Sequence, residues 1–202
     1  MSNKILSGAI LIIVAVFGVY YASSKHQPTA NPKPLVASLS SLNTGPAPWQ
    51  PEYNYLPNRL KAIGLTLLGA EGTAQHIHSH LDIYISGKQV SVPAEIGIPP
   101  TGGITPIHTH DSSGIIHIES PAAHAIYTLG QFFDIWGVRL TNSSIGGYAN
   151  NTSSKLIVYS NGHLINDPSQ LPLTAHEEIA ITYGTAKQSP NIPTSYSFPA
   201  GL

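Results

Sequence analysis

Apolar and polar positions alternate most strictly from His76 to Ile85, where His-Ile-His-Ser-His-Leu-Asp-Ile-Tyr-Ile predicts a strand, since successive strand side chains point to opposite faces. The pattern assigns Ile77, Leu81, Ile83 and Ile85 to a core face, and His76, His78, His80, Asp82 and Tyr84 to the other. Ser86-Gly87-Lys88-Gln89 predicts a two-residue turn with Gly87 first, returning through Val90 and Val92. Between His108 and Glu119, two strand-like runs flank Asp111-Ser112-Ser113-Gly114, a set of turn-forming residues. A hairpin closed there sets His110 opposite Ile115 and His108 opposite His117, with Glu119 on the face of His117.

Helical spacing is clean at one place, from Leu129 to about Gly137. Leu129, Phe132, Phe133 and Trp136 fall at i, i+3, i+4 and i+7, and Thr128 with Gln131 makes a capping-box pattern in front of them. Leu56 to Leu68 mixes apolar residues without a period and predicts no element. Asn161-Gly162 predicts a hairpin between Leu156–Ser160 and His163–Ile165, and Ile179, Ile181 and Tyr183 alternate in a last strand. Together these pieces predict an α+β fold, a mostly antiparallel β-sheet with one amphipathic helix. A β-grasp-like arrangement, hairpin then helix then further strands, is one way to connect them.

Four regions follow along the chain. Residues 1–25 hold the apolar run Ile5 to Ala22, which at about 1.5 Å per residue reaches about 27 Å and predicts an N-terminal transmembrane helix. A cleaved signal peptide is the rival reading. The length of the run and the poor cleavage context of Tyr-Ala-Ser-Ser favour an uncleaved signal-anchor. Residues 26–51 are Pro-rich and predict an extended linker; 52–186 form the His-rich α+β domain; 187–202 are Pro- and Ser-rich and predict a loosely attached, flexible tail. This organisation predicts a single-pass protein of the cell membrane with its C-terminal domain extracytoplasmic, and a membrane-complex or cell-surface partner.

Composition narrows the chemistry. Charged residues make up 9% of the chain against a typical value of roughly 25%, which suits an extracytoplasmic or partner-covered surface. The balance of 9 basic and 10 acidic residues, with no basic stripe, excludes nucleic acid as a partner. With no cysteine, and Met1 as the only methionine, the chain lacks disulfides, thiolate zinc sites, iron–sulfur ligands and thioether copper sites. Any metal is therefore held by imidazole and oxygen, and Cu(II) or Zn(II) is the expected cofactor.

Six of the 10 histidines lie between His76 and Glu119: His76, His78, His80, His108, His110 and His117. On a strand, Cα atoms of i and i+2 are about 6.7 Å apart and those of i and i+4 about 13.4 Å. One ion, with metal–nitrogen bonds near about 2.1 Å, takes His76 with His78 or His78 with His80, but not all three from a flat strand. Completion comes from His108, His110 and His117, with Asp82 and Glu119 as carboxylate ligands or as partners that orient an imidazole. The more isolated His26, His124, His163 and His176 are expected to be solvated or hydrogen-bonded instead.

Three functions compete on these residues. The first is metal capture, delivery or sensing at the membrane. The second is a metal-dependent enzyme, with an open position for water on a His-ligated ion and Glu119 as general base. The third is a cell-surface or membrane-complex structural subunit whose histidines are incidental. Metal affinity is expected to fall as the pH drops through about 6, because imidazole binds metal only when neutral.

The motifs His-x-His-x-His-Leu-Asp, Pro-Ile-His-Thr-His-Asp-x-x-Gly-Ile-Ile-His-Ile-Glu and Leu-Gly-Gln-Phe-Phe-Asp-Ile-Trp-Gly cover roughly residues 70 to 184. In these stretches the chain resembles an uncharacterised group of small, N-terminally membrane-anchored prokaryotic proteins. The resemblance implies an anchored domain and no particular activity. Cupins also carry His-x-His on strands, but their Glu follows within a few residues, where this chain has Leu81 to Tyr84.

Overall fold

A computed structural model describes residues 41–202. The expected anchor at 1–25 and the linker up to residue 40 lie outside the described residues. Among the described residues no helix is long and apolar enough to cross a membrane.

The architecture is α+β. Its strands are β1 (Gln75–Ile85), β2 (Lys88–Val90), β3 (Ile107–His108), β4 (Ile115–Ser120), β5 (Leu140–Thr141), β6 (Ser144–Ile145), β7 (Tyr148–Ala149), β8 (Lys155–Ser160), β9 (His163–Ile165) and β10 (Glu177–Gly184). Two helices, α1 (Leu56–Ala62) and α2 (Leu129–Trp136), accompany them. The main sheet runs β3-β4-β1-β10-β8-β9, with β2 also paired to β1, while β5, β6 and β7 form a small sheet of their own. Among these strands all pairings are antiparallel except the central one, where β1 and β10 run parallel with Ser79 opposite Glu177 and Ile85 opposite Tyr183.

The core lies between the sheet and α2. Leu81 and Ile83 of β1, Ile116 and Ile118 of β4, and Ile179 and Ile181 of β10 meet Leu129, Phe132, Phe133 and Trp136, all of them buried. The helix begins where the capping box predicts: Gln131 N donates to Thr128 Oγ1, and Thr128 N donates to Gln131 Oε1. It ends at Gly137 in the left-handed region, φ 84°.

Leu56–Leu68, for which the sequence predicts no element, contains α1, so the described residues hold two α-helices rather than one. Leu56, Leu60 and Ile63 form its apolar stripe, and Arg59 interrupts that stripe as a buried charge. The interruption hides the period. Arg59 reaches the C-terminal end of α2, where its guanidinium donates to the carbonyls of Asp134 and Ile135 and pairs with Glu52. It satisfies carbonyls that a helix end leaves without partners.

Two registers differ from expectation. The β1–β2 turn is Ser86-Gly87, with Ile85 opposite Lys88, one residue earlier than Gly87-Lys88. Positive φ at both Ser86 (52°) and Gly87 (79°) makes it the primed turn whose twist matches the strands. Strand β2 then stops at Val90, short of Val92 and Pro93. In the second hairpin His108 pairs with His117 as expected, but β3 ends there and His110 leaves the ladder instead of facing Ile115. Side chains take over the backbone donors of this loop: Ser113 N donates to Asp111 Oδ1, and Ile115 N to Ser113 Oγ. The Asn161-Gly162 turn forms as predicted, with Ser160 opposite His163.

Packing extends beyond 52–186 at both ends. Trp49 is buried in the core against Trp136, with ring centroids 6.0 Å apart. The stretch after Lys187 returns across the histidine face, where Tyr196 stacks on His80 at 3.6 Å between ring centroids.

Candidate metal centre

Three neighbouring strands build the site. In the β1–β4 ladder His78 faces His117 and His76 faces Glu119; in the β3–β4 ladder His108 faces His117. His78, His117 and His108 therefore form one row across the sheet, the directly opposite positions whose Cβ atoms come closest. His76 and Glu119 form the row beside it, and His110 joins from the loop after β3. Five imidazoles and one carboxylate converge on one sheet face.

The contacts are short. His78 Nε2 lies 3.2 Å from His76 Nε2 and 3.1 Å from His117 Nδ1. His108 Nε2 lies 3.2 Å from His110 Nε2. An imidazole nitrogen has one in-plane position, occupied by either one hydrogen or one lone pair, so His78 Nε2 can be hydrogen-bonded to only one of its two neighbours. A cation placed among the three nitrogens satisfies all of them. Several such His/Glu groups can hold a metal ion: His108, His110, His117 and Glu119 form one, and His76, His78 and His117 another.

The rings are held ready for that role. His108 Nδ1 is 2.9 Å from Thr105 O, and since a carbonyl only accepts, Nδ1 carries the hydrogen and Nε2 presents its lone pair to the cluster. Burial, then repulsion from neighbouring imidazoles, pushes His78 down to about 4 and His117 to about 3. Burial likewise takes His108 to about 4, although its bond to Thr105 pulls the other way. All three rings are neutral at pH 7, the form that binds metal. Burial raises the Glu119 carboxyl, opposed by His76.

His80 sits apart from the five. Its Nδ1 is 2.7 Å from Glu178 Oε2, and its Nε2 donates to Ser113 O at 2.9 Å. Burial lowers its basicity, but the Glu178 and Ser113 bonds outweigh that and raise its pKa. With Asp82 and Glu178 it forms a third group of possible donors, in which Asp82 already accepts from Gln89 Nε2 at 2.7 Å.

Several contributors have no signal in the sequence pattern. Glu178 reaches His80 only through the parallel pairing of β10 with β1, Thr105 acts through a backbone carbonyl, and Glu71 approaches His110 at 3.4 Å from outside the ladders. His176, which the spacing treats as isolated, donates its backbone N–H to His78 O. It also borders, with His76, His78 and Leu202, a cavity of about 410 Å³.

No protein-family model, curated protein or solved structure matches this chain.

Proposed function

We propose that this chain is a membrane-anchored, extracytoplasmic transition-metal-binding protein that captures, delivers or senses Cu(II) or Zn(II). The observation that carries the proposal is the meeting of His76, His78 and His117 nitrogens in a geometry that hydrogen bonds cannot satisfy. A donor set of imidazoles and one carboxylate, with no sulfur among the described residues, favours these two metals. The anchor and its orientation rest on the apolar run Ile5–Ala22 followed by the Pro-rich spacer. For the fold, the proposal is a β-grasp-like arrangement, supported by first and last strands parallel at the centre and a helix crossing between flanking hairpins.

The direct test loads the full chain with Zn(II) or Cu(II), dialyses it, and measures bound metal by elemental analysis. Stoichiometric metal is the expected result, and retention of none rejects the proposal. A second reading, a metal-dependent enzyme, is favoured by the cavity beside His76 and His78, which leaves room for an exchangeable ligand on an ion held there.

A further inference from the structure

We propose that the histidine face is built for two metal ions, with the Glu119 carboxylate between them. The proposal rests on the metal-binding reading above and fixes its stoichiometry.

The donors do not fit one coordination sphere. Two ligands of one ion, each at about 2.1 Å, are at most about 4.2 Å apart. The donor atoms of His108, His110, His117 and Glu119 lie within 4.8 Å of one another, as do those of His76, His78 and His117, but His76 and His78 do not join the first group. A single ion that serves the first group leaves His76 and His78 bare, and one that serves the second leaves His108 and His110 bare. One pair in each group already has the spacing of a chelate. His76 Nε2 to His78 Nε2 and His108 Nε2 to His110 Nε2 are both 3.2 Å, against about 3.4 Å for the edge of a tetrahedron with bonds of about 2.1 Å.

Glu119 stands between the two pairs. Its Oε1 is 3.2 Å from His76 Nε2, 3.6 Å from His117 Nδ1 and 3.8 Å from His108 Nε2. Its Oε2 is buried with no hydrogen-bond partner among the described residues. A carboxylate that is 1% exposed with one oxygen unpaired is costly to bury unless a cation lies beside it. A carboxylate shared by two ions removes that cost and holds them at the separation of about 3.5–4 Å common to two-metal sites. His117 Nδ1, 3.1 Å from His78 Nε2, completes the His76/His78 ion. His108 and His110 hold the other. The cavity borders His76 and His78 alone among these donors, so a further, exchangeable ligand reaches their ion from that side.

The test is the Cu(II) content and electron paramagnetic resonance of the full chain after dialysis. The proposal expects two equivalents, with a signal per copper strongly broadened or lost through coupling of adjacent ions. The paired variants His76→Ala/His78→Ala and His108→Ala/His110→Ala should each retain one equivalent with a full, uncoupled signal, and Glu119→Gln should weaken the coupling. One equivalent in the unmodified chain overturns the two-ion site and leaves metal binding standing. Two uncoupled equivalents also overturn it, because the second ion then lies elsewhere. No retained copper, together with no zinc retained in the loading test above, removes both proposals. The measurement on the unmodified chain decides the matter even where a paired variant fails to fold.

Discussion

Asp134 is fully buried in α2, and neither of its carboxylate oxygens has a hydrogen-bond partner among the described residues. Burial raises its pKa to about 7, against the opposing charge of Arg59. The folded protein therefore keeps a proton that the unfolded chain, with a carboxyl near about 3.9, has already released. Stability should decline as the pH rises from about 4 through about 7, since the native state binds more protons over that window. At about 1.4 kcal/mol per pKa unit the effect is a few kcal/mol at most. Asp134→Asn should flatten this dependence. Denaturant unfolding of metal-free protein at about pH 5 and about pH 8 checks it, and an equal difference between variant and parent at both values would refute it.

At the scale of elements, Arg59 joins α1 to α2 by taking the carbonyls of Asp134 and Ile135 while paired to Glu52. Arg59→Met keeps an apolar stem but takes a donor from those buried carbonyls and from the half-buried Glu52 carboxylate, a loss of about 1–3 kcal/mol. A loss below about 1 kcal/mol in thermal or denaturant unfolding would show that water or another donor fills the gap. The same residue explains one limit of the sequence. Periodicity reveals β1, the His108–Glu119 hairpin, the Asn161-Gly162 turn and α2 with its cap, because each pattern is local. It misses α1, whose apolar stripe carries a charge that makes sense only against the end of another helix. It also misses the separation of His80 from its neighbours, since Glu178 arrives on β10 through a pairing between distant parts of the chain. Five of the six clustered histidines were legible as one group; the departure of the sixth was not.

For the whole molecule, a metal ion held by the histidine face would tie central β1 to β4 and β3 and should raise the unfolding temperature, as does any ligand bound by the folded state alone. In the metal-free protein, burial holds His78, His108 and His117 at about 4, about 4 and about 3, below the unfolded value of about 6.5. The unfolded chain takes up protons first as the pH falls through about 6.5, so stability present above that value is lost on the way to about 4. Burial also moves the competition between protons and metal below the pH of about 6 expected from the sequence. The increment from saturating Zn(II) should persist below about pH 6 and vanish as the pH falls through about 4. His108→Ala should reduce it far more than His163→Ala; equal losses would place the metal elsewhere. The order of the strands has one more result. All six converging donors lie between His76 and Glu119, five on strands that pair with each other and His110 in the loop after β3, whereas β10, the central partner of β1, comes much later. A nascent chain thus carries the full ligand set before its sheet can close, and ions waiting where it emerges can act as a template, clamping the first strands together until the last arrives.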